Sequence, residues 1–159
     1  MSPDSDHDRY QYHRLNEEDV PLLRELVSLF SEAFEDPETY LAEKPSDAYL
    51  GDLLSSREFI AVVALADDVV VGGLTAYELR KFERQRSEIY IYDLAVQKSH
   101  RRRGVARALI GALSPIAVER GAWVAFVQAD AGDAPAIALY SSLGEREDVH
   151  HFDVLTLET

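Results

Sequence analysis

The segment Ser87–Val96 (SEIYIYDLAV) constrains the fold of this chain most strongly, because it is apolar or aromatic on both of its alternating faces. Successive side chains of a β-strand point to opposite faces of a sheet, so this pattern predicts a central strand covered on both sides. The strand leads through a short turn into residues 104–120, which have helical periodicity and end at Gly121. The sequence therefore predicts a sheet with helices packed on both faces.

The rest of the chain alternates between patterns of period two and patterns of helical period. Asp19 and Ser46 stand at helix-capping positions, and Asp67-Asp68 marks a turn between two β-prone runs. The predicted strands are residues 10–15, 59–65, 69–79, 87–96, 123–129 and 149–155, and the predicted helices are residues 19–34, 46–54, 104–120 and 133–143. With hairpins early and helical crossovers late, this order predicts a mixed α+β fold with a mixed sheet.

Length and composition limit the organisation and the partners. The 159 residues, 47% of them hydrophobic, suit a polar leader over residues 1–9 and one domain over residues 10–159. The net charge of −13 repels nucleic acid and anionic lipid and attracts polycations. The lack of cysteine excludes disulfides and thiolate nucleophiles, and no apolar run approaches the roughly 18 residues of a membrane span. We expect a cytoplasmic protein that binds neither nucleic acid nor membrane.

The turn after the central strand has the features of a phosphate-binding site. It reads Arg101-Arg102-Arg103-Gly104-Val105-Ala106 and enters a helix directly. A helix start offers unpaired N–H groups and a positive dipole end, and the small residues let a ligand approach the backbone. The sequences of a P-loop and of the three-glycine dinucleotide fingerprint are both absent. An isolated motif of this length also suits a solvated basic turn, but its place between strand and helix favours a pyrophosphate ligand.

Two motifs carry a family resemblance. Arg101-x-x-Gly104-x-Ala106, after a strand that ends in Leu-Ala-Val, resembles motif A of the GNAT acetyltransferases, and residues 133–144 (DAPAIALYSSLG) resemble motif B. The chain departs from the family at Asp133, where asparagine is usual, and at Glu145, where an aromatic residue usually follows the glycine. The resemblance implies the GNAT fold, a mostly antiparallel mixed sheet with a splay between its fourth and fifth strands, here residues 87–96 and 123–129, into which pantetheine inserts.

The resemblance also implies acetyl-CoA as co-substrate, without a metal. The residues it assigns to acetyl-CoA lie at the strand end, in the turn and in motif B: Leu94, Ala95, Val96, Arg101, Arg102, Arg103, Gly104, Val105, Ala106, Arg107, Asp133, Ala136 and Tyr140.

A narrower resemblance concerns the acceptor. The central strand, the preceding Lys81-Phe-Glu83, residues 49–54 (YLGDLL) and residues 127–130 (VQAD) are similar to the type I aminoglycoside 3-N-acetyltransferases. This resemblance implies transfer of an acetyl group to the 3-amino group of a cationic aminoglycoside such as gentamicin, by direct attack in a ternary complex. The consequence is antibiotic resistance.

Such a transfer needs a base for the acceptor's ammonium proton and a proton donor for the departing thiolate. Asp93 is the candidate base, because a carboxylate on an apolar central strand is costly unless it is paired or used. Tyr140, from motif B, is the candidate acid. The structural alternatives are an aspartate bonded to its surroundings and a core tyrosine with a satisfied hydroxyl.

Several ammonium groups on an acceptor require converging carboxylates, although any single one can also belong to a solvated face. Glu88 and Asp130 rank first, and the further candidates are Glu83, Asp133, Asp36 and Asp153. The adjacent His150-His151 would point to opposite faces of a strand, so we assign no metal site.

Two other functions remain open. One is a GNAT enzyme that acetylates a peptide N-terminus, a lysine or a polyamine, since the coenzyme half of the site would be the same. The other is a non-catalytic acetyl-CoA-binding domain, against which the presence of both Asp93 and Tyr140 argues. The sequence also leaves open whether a homodimer forms through the last predicted strand.

Overall fold

The computed structural model describes residues 9–158, in two compact units, one up to Gln128 and one from Ala129 onward. The first unit contains a sheet and four helices, and the second contains one helix. Of the predicted leader, residues 1–8 lie outside the described residues. The single domain predicted for residues 10–159 stays a prediction. Between residues 9 and 158, no helix is both long and apolar enough to cross a membrane.

The sheet has five strands, paired in the order β1-β2-β3-β4-β5. β1 to β4 pair antiparallel and β4 pairs parallel with β5, which confirms the mixed, mostly antiparallel sheet. At the hairpin between β2 and β3, Asp67 and Asp68 both have positive φ angles, as a two-residue turn of the primed type requires. The strands are β1 Gln11–Arg14, β2 Phe59–Ala66, β3 Val69–Arg80, β4 Ser87–Val96 and β5 Ala122–Val127.

Helices fill the connections that are not hairpins. They are α1 Val20–Ala33, α2 Pro37–Leu41, α3 Asp47–Ser55, α4 Val105–Arg120 and, in the second unit, α5 Ala134–Leu143. Ser46 caps α3 as predicted, accepting a hydrogen bond from the backbone N–H of Tyr49. Asp19 occupies the N-cap position of α1 but makes no capping bond, because its carboxylate instead accepts from the N–H of Asn16 and contacts His13.

Two apolar layers cover the sheet, one on each face. One layer contains α1 and α3, with Leu26 and Phe30 buried, and the other contains α4, with Leu109 and Leu113 buried. Gly73 in β3 permits the first packing, because a Cβ there would lie 2.4 Å from Leu26 Cδ1. The predicted covering of both faces is therefore confirmed.

A buried carboxylate joins β3, β4 and α4 at one end of the sheet. Glu78 has a side chain that is 1% exposed and accepts hydrogen bonds from Arg57 Nε and Arg120 Nη1 at 3.0 Å and from Ser87 Oγ at 2.8 Å. Burial alone would raise the pKa of Glu78, but the bonds from Arg57, Ser87 and Arg120 outweigh it and lower that pKa below its usual range.

β4 and β5 diverge partway along their length. Their pairing ends at Ile91 opposite Val127, whereas β4 continues to Val96 in contact with β3. The edge of β4 that faces away from β3 is thus unpaired by β5 from Tyr92 onward. This is the predicted splay between the two strands.

The predicted last strand over residues 149–155 is wrong. In the second unit, residues 145–158 form neither helix nor strand, and their apolar side chains, such as Val149 and Phe152, are mostly exposed. Alternating apolar residues favour a strand, but a strand also needs a neighbour for its N–H and C=O groups. No strand among residues 9–158 pairs with this segment.

Candidate active site

The turn between β4 and α4 has the geometry predicted for a phosphate site. A single 3-10 turn, Lys98–His100, leads to Arg102 with φ 62° and Gly104 with φ 78°, both in the left-handed region. Gly104 is the N-cap of α4 and has no side chain to bond the first N–H groups of the helix. A Cβ placed on Gly104 would meet nothing within 4 Å. Glycine therefore suits this position because of its positive φ angle and not because of close packing. The helix start is open to an anion, which fits the pyrophosphate of acetyl-CoA.

Four arginines lie in or next to this turn along the chain. Arg101 Nε donates to the carbonyl oxygen of Val96 at 3.0 Å, which holds the arginine against the end of β4. Arg102, Arg103 and Arg107 are exposed. The residues predicted to contact the diphosphate, 101–107, therefore all lie at the N-terminus of α4.

Some predicted cofactor residues can contribute only backbone groups. The side chain of Val105 is 2% exposed and packs in the apolar layer of α4, so only its N–H is available to a ligand. Leu94 and Val96 pack in the same layer, and Ala95 packs in the opposite one. Their backbone lies on the part of β4 that β5 leaves unpaired, which fits the predicted contact with pantetheine.

Asp93 reaches the opposite face because β4 contains a bulge. Thr75 pairs with Asp93 and Ala76 pairs with Ile91, so Tyr92 is an extra residue without its own partner on β3. Strict alternation would put Asp93 on the face of Ile91, among the apolar side chains beneath α4. The extra residue instead puts Asp93 on the face that it shares with Thr75 and Tyr90.

Two hydroxyl groups bond the half-buried carboxylate of Asp93. Tyr40 Oη of α2 donates to Oδ1 at 3.0 Å, and Thr75 Oγ1 of β3 donates to Oδ2 at 3.2 Å. Burial, followed by the negative charge of Asp93, raises the pKa of Tyr40 well above its ordinary value. The phenol therefore remains a neutral donor, and each oxygen of Asp93 has acceptor capacity left for a proton.

Aromatic rings lie beside this carboxylate. Tyr92 contacts the rings of Tyr77 and Tyr90 edge to face, with centroids 5.8 and 5.5 Å apart, and Tyr90 stacks on Phe126 at 4.7 Å. Burial is the main cause that raises the pKa of Tyr77 and Tyr90, and the charge of Asp93 adds to it in both. These phenols therefore stay neutral at physiological pH.

Tyr140 belongs to α5 in the second unit. Burial first and the charge of Asp133 second raise the pKa of Tyr140, so its hydroxyl keeps its proton at neutral pH. Asp133 caps this helix, accepting from the N–H of Ala136 at 3.2 Å. These three motif B residues therefore lie on one short helix. Their contact with acetyl-CoA stays a prediction.

The acidic residues predicted for the acceptor are scattered. Asp36 caps α2, the helix that carries Tyr40, and hydrogen bonds from Thr39 lower the pKa of Asp36. Glu83 and Glu88 both lie near Lys81 Nζ, at 3.6 and 3.8 Å, towards the end of β4 opposite to Asp93.

The remaining predicted carboxylates, Asp130, Asp133 and Asp153, lie in the second unit, where Asp153 bonds His151. Of the predicted acceptor carboxylates in the first unit, Asp36 is the one on the helix whose Tyr40 bonds Asp93.

Sequence reasoning missed Tyr40 and Thr75, the two partners of Asp93. Asp36-Pro37 is a recognisable helix start and could have predicted the short helix α2. No local pattern distinguishes Thr75 from any other strand threonine, because its role depends on the register between β3 and β4.

Comparisons with known proteins agree with this geometry. The model of the acetyltransferase (GNAT) family matches residues 23–144. An aminoglycoside acetyltransferase from an uncultured soil metagenomic sample is 54% identical, with a TM-score of 0.91, over 93% of this chain and 99% of its own. Another from such a sample, solved in complex with sisomicin, is 33% identical, with a TM-score of 0.85, over 94% of this chain and 99% of its own.

A further aminoglycoside N-acetyltransferase, in complex with CoA, is 19% identical with a TM-score of 0.72 over 92% of this chain and 94% of its own, which shows a shared fold alone. No curated protein sequence matches the chain. The matched family region contains the whole segment from the splayed strand β4 through the phosphate turn to α5. The chain belongs to the GNAT family of acetyltransferases, enzymes that use acetyl-CoA.

Proposed function

We propose that this chain is a cytoplasmic enzyme that acetylates the 3-amino group of a gentamicin-class aminoglycoside and so gives resistance to it. The observation that carries the proposal is Asp93, a half-buried carboxylate between two neutral hydroxyl donors on the splayed part of β4. The aminoglycoside acetyltransferases that are 54% and 33% identical to this chain support the class of acceptor.

Acetyl-CoA supplies the acetyl thioester, whose carbon–sulfur bond breaks as the bond to the acceptor nitrogen forms. The N–H groups at the start of α4 and the arginines of residues 101–107 would hold its diphosphate. The unpaired backbone of residues 94–96 would hold the pantetheine arm and stabilise negative charge on the acetyl oxygen.

Asp93 takes the proton that the acceptor nitrogen must lose. The 3-amino group reaches the enzyme as an ammonium ion, which cannot attack a carbonyl carbon until it is neutral. The carboxylate first attracts the ammonium ion by its charge and then accepts its proton. Tyr140, which remains protonated at neutral pH, gives a proton to the departing sulfur, and the second proton that the nitrogen loses once it is bonded to the acetyl carbon replaces it.

The other ammonium groups of the acceptor need further negative charge. Asp36 lies on the helix that carries Tyr40 and is therefore the first-unit candidate nearest to Asp93. Asp130, Asp133 and Asp153 remain candidates from the second unit. Glu83 and Glu88 are weaker candidates, because they lie near the ammonium group of Lys81.

A thiol-release assay with acetyl-CoA tests the proposal. The acceptor panel contains gentamicin, sisomicin, spermidine and short peptides with a free N-terminus, and Asp93→Asn is the control for background release. We expect the highest kcat/KM with an aminoglycoside, and NMR of the product should locate the new acetyl group on the 3-amino nitrogen.

Three outcomes would revise the proposal in different ways. Faster release with spermidine or peptides than with every aminoglycoside would favour the other GNAT acceptors. Acetylation at a 6′-amino group would keep the acceptor class and overturn the position. Tight acetyl-CoA binding without transfer to any amine would favour a non-catalytic binding domain.

A further inference from the structure

A row of aromatic rings crosses β3, β4 and β5 beside Asp93. We name the four rings the aromatic wall; in the order in which they contact one another they are Tyr77, Tyr92, Tyr90 and Phe126. Each ring contacts the next, with centroid separations of 5.8, 5.5 and 4.7 Å along the row. A further ring, Phe59, packs on Tyr77 at 5.5 Å from the side of β2. The row is thus anchored at one end in the core and at the other in the edge strand.

Tyr92 is the most exposed member of this wall. Tyr92 is 62% exposed, although its ring contacts those of Tyr77 and Tyr90. Tyr92 is also the extra residue of the β-bulge, directly preceding Asp93 in the chain. The bulge in β4 therefore determines the face on which Asp93 lies and places the exposed ring of Tyr92 next to it.

The hydroxyl of Tyr90 has a fixed partner, because it donates to Gln128 Oε1 at 2.9 Å. This bond, together with the stack on Phe126, limits rotation of the ring that supports Tyr92. The wall is preorganised and does not need to order itself when a ligand binds, which lowers the cost of binding.

Aromatic faces carry partial negative charge and an apolar surface. They attract ammonium groups, and they also bury C–H groups that would otherwise remain in water. A ligand that suits this surface has a flat array of C–H groups and ammonium groups at its rim. A saturated six-membered ring with amino substituents meets this description, whereas a flexible chain loses conformational freedom when it lies flat.

We propose that the aromatic wall is the subsite that binds the amino-substituted saturated ring of the acceptor, and that Tyr92 determines the preference for ring amines over linear amines. This inference rests on the proposed function. It goes further by assigning the choice of acceptor to an aromatic face in addition to the carboxylates.

A matched pair of ligands isolates the effect of the ring. cis-1,3-Diaminocyclohexane and 1,3-diaminopropane have the same N–C–C–C–N spacing and no hydroxyl groups, but only the first is cyclic. Their dissociation constants are measured by NMR titration against the full chain with coenzyme A present, for wild type, Tyr92→Leu and Tyr92→Phe. The leucine removes the aromatic face and keeps apolar bulk, and the phenylalanine removes only the hydroxyl.

We expect wild type to bind the ring diamine roughly tenfold more tightly than the linear one, a preference of about 1.4 kcal/mol. Tyr92→Phe should keep this preference, and Tyr92→Leu should reduce it to about twofold or less. Both variants should remain folded, which circular dichroism and a cooperative thermal transition check.

The inference is overturned if wild type does not prefer the ring diamine, or if Tyr92→Leu keeps the full preference. Equal losses in Tyr92→Leu and Tyr92→Phe would also overturn it, because they would assign the preference to the hydroxyl. The binding readout is independent of catalysis. If no aminoglycoside is acetylated but the ring preference depends on Tyr92 as expected, the proposed function fails and the subsite stands.

Discussion

At the scale of single residues, the insertion of Tyr92 in β4 decides which side of the sheet receives Asp93. Ile91 and Leu94, three residues apart, both pack beneath α4, which regular alternation would not allow. Asp93 lies between them and points to the other face, where Tyr40 and Thr75 bond its two oxygens. The proposed catalytic role of this carboxylate therefore depends on a register irregularity as much as on its chemistry.

Removal of either hydroxyl should impair catalysis through the position of Asp93. Tyr40→Phe keeps the ring contacts with Phe30 and Phe34 and loses only the donor. A hydrogen bond to a charged group contributes about 1.5 to 3 kcal/mol, so we expect kcat to fall by roughly 10- to 100-fold. The KM for acetyl-CoA should not change.

The same reasoning predicts a comparable loss in Thr75→Val and recovery in Thr75→Ser, which restores the hydroxyl. A normal kcat in Tyr40→Phe would show that the hydrogen bond from Tyr40 to Asp93 is dispensable.

Tyr140→Phe should slow the reaction in a different way. The variant lacks the proposed proton donor to the departing sulfur, so we expect kcat to fall by roughly 10²-fold or more. Raising the pH makes the acceptor neutral but supplies no proton to the sulfur. The deficit measured by thiol release should therefore not shrink at high pH, and a deficit that disappears there would assign Tyr140 to another role.

At the scale of elements, the best-predicted segments are those whose secondary structure depends on their own hydrophobic pattern. The bounds of β4 match the prediction residue for residue, and α4 begins and ends at the predicted glycines, Gly104 and Gly121. The segment over residues 149–155 has an equally good pattern but no strand to pair with. Pairing, unlike periodicity, depends on distant parts of the chain.

The same distinction explains which parts of the candidate site could be predicted from the sequence. The phosphate turn is continuous in sequence and could be predicted from it, and Asp93 could be selected because a carboxylate in an apolar strand is unusual. Its partners Tyr40 and Thr75 lie 53 and 18 residues away along the chain, so no local pattern connects them to it.

The turn between β4 and α4 makes its own prediction. Arg101→Glu combined with Arg103→Glu should weaken acetyl-CoA binding by more than about tenfold, or 1.4 kcal/mol, in calorimetry. The control is Arg80→Glu combined with Arg84→Glu, which changes the net charge equally. Both residues are exposed, Arg80 at the C-terminal end of β3 and Arg84 in the loop that follows it. Equal losses in the two double variants would mean that net charge alone is responsible.

At the scale of the whole molecule, Glu78 stabilises the end of the sheet where β3, β4 and α4 meet. Its pKa is lowered in the folded state, so the stability that it contributes is present above the unfolded value of about 4.3 and is lost as pH falls through the folded value. Glu78→Gln should reduce the free energy of unfolding at neutral pH by about 3 to 5 kcal/mol.

Thermal unfolding between neutral and acidic pH measures this effect, with Glu119→Gln as the control. Glu119 Oε2 lies 3.7 Å from Arg14 Nη1 in an exposed ion pair. Loss of this charge should therefore change the free energy of unfolding by less than about 1 kcal/mol. The difference between wild type and Glu78→Gln should narrow as the pH falls below about 4. A constant difference would contradict the lowered pKa of Glu78.

The whole molecule has a net charge of −13, which favours the approach of cations, but the proposed chemistry depends on one carboxylate. The most direct test of that assignment is the pH profile of Asp93→Asn, from about pH 6 to about pH 9, with gentamicin as acceptor. The amide is nearly isosteric and cannot take a proton, so kcat/KM should fall by roughly 10²- to 10⁴-fold while acetyl-CoA binding is kept. The deficit should shrink as pH rises, because more of the acceptor is already neutral. A near-normal rate across this range, together with a large loss in Glu88→Gln or Asp130→Asn, would show that the base lies elsewhere.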